Sequence, residues 1–259
     1  MRMSWKLGRV AGIDVYLHPS FLLLLAFGWM REGLEGALLI ATAFGCVLLH
    51  ELGHALAARR YGIETEDITL YLIGGVARLR RMPKAPGAEL LIALAGPAVN
   101  VAIVLGLAAA RGLALFSASW SESPLDLFLV QLMLVNAALA AFNLIPAFPM
   151  DGGRVLRALL SGWLGRTRAT MIAAGLGRGL ALLFGLYSLF HYNFFQAVLA
   201  GFIYVVAGVE LARVLEEERP RGSSLDPDSG DHGVWAAPPG FHWVHHGDGV
   251  WQLAPAHRE

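Results

Sequence analysis

The sequence LEGALLIATAFGCVLLHELGHALAARRY, from Leu34 to Tyr61, decides how the rest of the chain is interpreted. It is a long apolar run that contains the pattern HExxH. On a helix, His50 and His54 lie four residues apart on one face and can bind one metal ion, while Glu51 can reach a water molecule beside it. A chance match is the alternative. Ionisable side chains in an apolar span are costly unless they face a polar interior, so the context favours a zinc site of the peptidase kind.

The composition identifies the surroundings of this run. The chain has 259 residues, of which 56% are hydrophobic and 15% charged, and its mean hydropathy is +0.55. A soluble domain carries roughly 25% charged residues, so we predict an α-helical polytopic membrane protein that lies in a lipid bilayer. The net charge is zero, and no nucleic-acid partner is expected. A single cysteine, Cys46, excludes an intrachain disulfide.

Apolar segments predict about six transmembrane helices. We expect them near residues 21–30, 34–61, 87–112, 127–145, 169–190 and 194–215. The first is short for a full span, and the polar turn Arg31-Glu32-Gly33 separates it from the HExxH helix.

A small β-sheet at the membrane surface completes the predicted core. The alternation from Arg9 to His18 predicts one strand, and the stretch from Ile68 to Leu79 predicts a hairpin that turns at Gly74-Gly75. After the last span, residues 223–231 are typical of a linker. Residues 243–253 are compatible with a small hairpin or with a disordered tail, and both interpretations stay open. The predicted organisation is a cytoplasmic N-terminus with a surface strand (1–18), a six-span core (19–216, with the hairpin region at 63–86) and a cytoplasmic tail (217–259).

The distribution of basic residues orients the spans. One set of loops and flanking segments holds nearly all of them: Arg2, Lys6, Arg9, Arg59, Arg60, Arg78, Arg80, Arg81, Lys84, Arg154, Arg157, Arg166, Arg168, Arg219 and Arg221. The opposite set holds Arg31 and Arg111. By the positive-inside rule, both termini are expected to be cytoplasmic.

This orientation limits the position of the third metal ligand. The HExxH helix runs inward, which puts His50 roughly 16 Å and His54 roughly 10 Å above Tyr61 at the inner boundary. The metal is therefore expected in the cytoplasmic half of the bilayer. Glu89 is interpreted as an interfacial residue at the membrane surface, whereas Glu210 and His18 stay open as ligands.

Asp151 fits the required depth best. It follows Pro146 and Pro149, which end the fourth span, so irregular backbone lies where it can line a polar cavity. Gly152-Gly153 allow a tight turn beside a ligand. The alternative for Asp151 is an N-cap of the helix that follows.

Together these features resemble the site-2 protease family of intramembrane zinc metalloproteases. The matching pieces are HELGH at 50–54, GPAVN at 96–100, NLIPAFPMDGGRVL at 143–156, the hairpin at 72–76 and the strand before His18-Pro19. The chain is similar to the branch without a PDZ insertion. Many members of that branch carry paired CBS domains after the last span. The tail has neither the length nor the composition for them, so nucleotide sensing is not expected.

The resemblance implies particular roles for several residues. His50, His54 and Asp151 would bind one zinc ion, and Glu51 would act as the catalytic base. Asn143 matches an asparagine that lies near the metal in the family and holds the substrate or the oxyanion. An interhelical hydrogen bond is the alternative for Asn143 and stays open. Asn100 and Asn136 are expected to be structural.

The predicted activity is hydrolysis of peptide bonds within or near transmembrane segments of other membrane proteins, as in regulated intramembrane proteolysis. A transmembrane substrate is the expected partner, a regulatory membrane protein is an open one, and the cell membrane of a prokaryote is the expected location. The sheet edge around Gly74-Gly75 could pair with an unwound substrate. Cys46, one turn before His50, could tune the metal, although a packing role is favoured. An ion-binding transporter and an inactive scaffold that retains zinc are the alternative functions.

Overall fold

The structure is a computed structural model that describes residues 4–72, 74–80, 85–117, 123–218, 241–246 and 250–255. Arg2, Arg81, Lys84, Arg219 and Arg221 of the basic set, and the linker at 223–231, lie outside the described residues. In chain order the elements are β1 (Trp5–Val10), β2 (Ile13–Leu17), α1 (Ser20–Arg60), β3 (Thr65–Tyr71), β4 (Gly74–Leu79), α2 (Pro86–Ser117), α3 (Pro124–Asn143), α4 (Asp151–Leu164), α5 (Arg166–Phe190), α6 (Phe194–Glu218), β5 (Phe241–His246) and β6 (Val250–Pro255).

Within the described residues, five helices are long and apolar enough to cross a membrane: α1, α2, α3, α5 and α6. The first of them is in fact two segments, because Glu32 has a non-helical backbone and Gly33 has φ 64°. The segments fold back on each other, since the Phe21 and Phe44 rings lie 4.5 Å apart and a Cβ on Gly28 would lie 2.9 Å from the Gly36 carbonyl oxygen. The predicted polar turn is therefore present, and the helical polytopic fold class is confirmed.

The four N-terminal strands form one sheet in the order β1-β2-β3-β4. β1 and β2 are antiparallel, β2 and β3 are parallel, and β3 and β4 are antiparallel. The prediction of a single N-terminal strand was incomplete, because Trp5–Val10 adds a second one. β4 is an edge strand, and its register on β3 is fixed by Arg78, whose Nε donates to buried Asp67 at 2.9 Å. The same hydrogen bonds raise the pKa of Arg78.

Gly74 and Gly75 do not form the predicted hairpin turn. Gly74 and Gly75 are the first residues of β4 and pair with Tyr71 and Leu70. The glycine at position 75 is explained by a contact outside the hairpin. A Cβ on Gly75 would lie only 2.6 Å from Glu51 Cγ, so glycine is required by the close approach of β4 to α1.

The short helix α4 has 14 residues and begins at Asp151. Met150 is its N-cap residue, so the predicted alternative of an Asp151 N-cap is wrong. The chain before α4 is packed tightly: Cβ atoms on Gly152 and Gly153 would lie 2.2 Å from the Ile145 carbonyl oxygen and 2.6 Å from the Ala147 carbonyl carbon. This packing is what brings Asp151 inward.

The chain divides into two compact units, Met1–Glu218 and Arg219–Glu259. In the second unit, β5 and β6 form an antiparallel two-stranded hairpin, with Trp243 opposite Leu253. A hairpin at this position is one of the two interpretations that the tail sequence allowed.

Candidate metal centre

Three side chains from two helices meet inside the helical unit. His50 and His54 come from α1 and Asp151 from the first residue of α4, and all three are buried. The distances are 3.1 Å between the two histidine Nε2 atoms, 3.1 Å from His50 Nε2 to Asp151 Oδ2 and 3.0 Å from His54 Nε2 to the same oxygen. The HExxH spacing thus brings both imidazoles to one point, and Asp151 comes to that point from 97 residues beyond His54.

Hydrogen bonds at the other ring nitrogens place a proton on Nδ1 of each histidine. His54 Nδ1 lies 2.7 Å from the Ile92 carbonyl oxygen, which can only accept, so Nδ1 donates. His50 Nδ1 lies 2.5 Å from Asn100 Oδ1, also an acceptor. Asn100 is held in that orientation because its Nδ2 donates to Asn136 Oδ1 at 2.9 Å. In a neutral imidazole that donates through Nδ1, Nε2 carries a lone pair.

When both imidazoles are neutral in this tautomer, their two Nε2 lone pairs and the carboxylate point at one another. Two Nε2 atoms and a carboxylate oxygen at 3.0–3.1 Å repel one another unless a cation lies among them. A tetrahedral zinc ion with bonds of about 2.0 Å places its ligand atoms roughly 3.3 Å apart. The ligand types, the tautomers and the separations all fit such an ion.

One face of α2 supports both histidines. Ile92, Gly96 and Asn100 are spaced as residues on one side of a helix. A Cβ on Gly96 would lie 2.2 Å from His54 Nε2 and 2.7 Å from His50 Nε2, so no larger residue leaves room for the two rings. The GPAVN segment thus supplies clearance for the imidazoles and an acceptor for one of them.

Asn100 and Asn136 were expected to be structural, but the structure connects them to the ligand cluster. Both are fully buried, and Asn136 Nδ2 in turn donates to the Leu132 carbonyl oxygen at 2.9 Å. The chain of amides runs from α3 through α2 to His50. The spacing of Gly96 and Asn100 was the available signal, since it places both on the face of α2 that meets α1.

Glu51 lies beneath the edge strand of the sheet. Its carboxylate accepts a hydrogen bond from the Ala77 N–H in β4 at 3.3 Å, and the side chain is half-buried. Asn143 is half-buried at the last residue of α3 and takes part in none of the hydrogen bonds that join the three ligands. Cys46 is buried in α1 and does not belong to the ligand group.

The other candidate ligands are engaged elsewhere. Glu210 forms an ion pair with Arg157 at 2.9 Å. Glu89 pairs with the same guanidinium and is buried, so its interpretation as an interfacial residue was wrong. His18 Nδ1 lies 2.8 Å from Ser20 Oγ, and the His18 ring packs on Tyr71. Arg157, counted among the loop cations, is completely buried.

Comparison with known proteins agrees with this architecture. The model of peptidase family M50 matches residues 38–117 and 110–186. A zinc metalloprotease of Methanocaldococcus jannaschii is 40% identical over 222 residues, which cover 84% of this chain and 63% of that protein. Stage IV sporulation protein FB of Bacillus subtilis is 26% identical over 179 residues, or 69% of this chain and 58% of that one.

A solved structure matches as well. The site-2 protease from Methanocaldococcus jannaschii superposes with a TM-score of 0.61 at 39% identity, covering 80% of this chain and 95% of that chain. The chain belongs to peptidase family M50, the site-2 protease family, as its motifs predicted. It spans about half to two thirds of the length of the curated relatives it matches. The transporter and inactive-scaffold alternatives gain no support from these comparisons.

Proposed function

We propose that this protein is an intramembrane zinc metalloprotease that hydrolyses peptide bonds within or near transmembrane segments of other membrane proteins. The observation that carries the proposal is the convergence of two Nε2 atoms and a carboxylate oxygen on one point, with both imidazoles donating through Nδ1. Glu51 is next in sequence to one ligand and is half-buried. Family membership and the zinc metalloprotease relatives support the same reaction.

His50, His54 and Asp151 bind the zinc ion in this proposal. When bound, zinc supplies Lewis-acid activation of water and of the scissile carbonyl group. Glu51 accepts a proton from the attacking water and delivers it to the amine that leaves. The Asn100 side chain keeps the His50 proton on Nδ1, so that Nε2 stays available as a ligand.

The substrate is proposed to be a transmembrane helix that unwinds locally, because a helical peptide bond is covered by its own side chains. The edge of β4 supports this, since it borders Glu51 and, among the described strands, only β3 pairs with β4. An extended segment can pair with such an edge by main-chain hydrogen bonds. Asn143 is proposed to hold the substrate or the oxyanion, and a regulatory membrane protein is proposed as a further partner.

The apolar helices make this a multi-pass membrane protein. We propose that both termini are cytoplasmic, because the basic residues concentrate in one set of loops, and that the site opens to the cytoplasmic side of a prokaryotic cell membrane. Residues 19–216 are the proposed protease core, and residues 217–259 are a proposed cytoplasmic tail.

Replacing the catalytic base tests the reaction. In cells that express Glu51→Gln, new protein termini within transmembrane segments, measured by mass spectrometry, should fall by about 100-fold or more relative to wild type. The purified variant should still bind zinc, because the three ligands are intact. Glu35→Gln, on an exposed position of the same helix, is the matched control and should cut normally. Persistent cleavage by Glu51→Gln would refute the protease assignment.

A further inference from the structure

A second buried polar cluster lies inside the helical unit, centred on Arg157. Its side chain has 0% exposure and is the largest fully buried one among the described residues. Nε donates to Glu89 Oε1 at 2.6 Å, Nη1 donates to Glu210 Oε1 at 2.9 Å, and Nη2 also pairs with Glu89. The guanidinium carbon lies 4.9 Å from the centre of the Phe148 ring.

These partners come from three different parts of the chain. Glu89 is in the first turn of α2, Glu210 is in α6, and Phe148 is in the segment that leads into α4. That segment is itself attached to α5, because the Phe148 N–H donates to the Ala173 carbonyl oxygen at 3.2 Å. Arg157 therefore joins α4 to two long helices and to its own lead-in segment.

Burial of this ionic cluster is not explained by stability. Taking charges out of water costs free energy, and apolar replacements of buried ionic clusters are often as stable as the originals. A guanidinium that is bonded on two sides does fix geometry, because its donors form a rigid planar fork. The cluster therefore fixes how far α4 can slide or rotate against its neighbours.

Arg157 binds the same face of α2 that supports the metal ligands. Glu89 lies three residues before Ile92, whose carbonyl accepts the His54 Nδ1 proton, and seven before Gly96, which clears room for both rings. On α4, Asp151 lies six residues before Arg157, or about 9 Å along the helix. The contact between Arg157 and Glu89 thus sets the position of Asp151 relative to α2, the helix that orients the imidazoles.

We propose that Arg157 is a positioning residue for the metal site. By fixing α4 to Glu89 and Glu210, it places Asp151 Oδ2 against the Nε2 atoms of His50 and His54. The inference rests on the proposed function, in which these three residues bind zinc.

Zinc affinity of the full chain in detergent tests the inference, measured by competition with a chelator. The main variant is the uncharged triple substitution Arg157→Met with Glu89→Gln and Glu210→Gln, which leaves no unpaired buried charge. Arg157→Lys is the second variant and keeps the charge without the fork. Thermal unfolding of the metal-free proteins, followed by circular dichroism, reports stability separately.

We expect both variants to fold, and the zinc dissociation constant of the triple variant to rise by about tenfold or more, with a smaller rise for Arg157→Lys. Arg178→Met is the matched control. That guanidinium bonds the Tyr204 hydroxyl and lies 4.3 Å from its ring centre, and these contacts join α5 to α6 without α4. It should leave zinc affinity unchanged.

Wild-type affinity in whichever Arg157 variant folds would overturn the positioning role and leave the proposed function intact. Absence of zinc binding by the wild-type chain would overturn both. An equal loss in Arg178→Met would also overturn the inference, because it would reduce the effect to general loosening of the helices.

Discussion

Among the described residues, the ligand cluster and the Arg157 cluster are both built from buried ionisable side chains, but their charges are balanced differently. In the Arg157 cluster, two carboxylates surround a guanidinium. In the ligand cluster, a carboxylate meets two imidazoles that donate through Nδ1, so in the neutral tautomer their Nε2 lone pairs face the carboxylate. A buried anion needs a nearby positive charge, and a metal ion bound by the three ligand atoms would supply it at the point where they meet. The comparison shows that the two clusters differ in what lies at their centre: a guanidinium in one, and converging imidazole and carboxylate ligand atoms in the other.

The largest effect is expected when a carboxylate is removed from each of the two clusters in turn. Asp151→Ala should weaken zinc binding by more than about 100-fold, beyond the range typical of residues that only support a ligand. Glu210→Ala should weaken zinc binding far less, by no more than about 10-fold, because it removes one of the two carboxylates that fix Arg157 while Glu89 remains. Zinc content after dialysis, measured by atomic spectroscopy, checks both. Normal zinc in Asp151→Ala with loss in Glu210→Ala would reassign the third ligand.

A slightly smaller effect is expected from substituting Gly96, because its lack of a side chain leaves room beside α2 for the imidazoles. Gly96→Ala would put a Cβ atom 2.2 Å from His54 Nε2, so the rings must move apart from Asp151. We expect zinc affinity to fall by about 10- to 100-fold. Gly106→Ala, also in α2, is the matched control, because nothing lies within 4 Å of its added Cβ. Equal zinc affinity in the two variants would show that the histidines do not need the close approach of α2.

The sequence predicted the parts of the fold and site that depend on local spacing. Residues four apart on a helix share a face, which was enough to pair His50 with His54. The depth argument selected Asp151 because prolines end the helix before it. The six apolar segments followed from hydropathy, and the turn at Gly33 from its polar neighbours.

The rest depended on contacts between distant segments. Nothing local distinguishes a carboxylate that binds a metal from one that pairs with an arginine, so Glu210 stayed open as a ligand and Glu89 was interpreted as interfacial. Gly75 was interpreted as a turn residue, but it is required because Glu51 Cγ occupies the space a side chain would fill. Asn100 lies 50 residues from His50, and their contact follows only from the packing of α1 on α2.

The smallest predicted effect tests how the protein fixes the orientation and tautomer of His50. Asn100→Ala removes the acceptor for His50 Nδ1 and should weaken zinc binding by about 10-fold, because the ring can then turn or change tautomer. Asn136→Ala should weaken zinc binding less than Asn100→Ala does, by about a few-fold, because Asn100 Oδ1 is still present as the acceptor. Its larger cost is in stability: Asn100 Nδ2 loses its acceptor, which costs about 1–3 kcal/mol of unfolding free energy. Chelator competition and denaturant unfolding of the metal-free chain measure the two effects separately.

If Asn136→Ala loses as much zinc affinity as Asn100→Ala, then the two amides orient His50 as one unit. If neither variant loses affinity, the His50 tautomer is fixed by the metal itself, and the amide chain belongs to the packing of α1, α2 and α3.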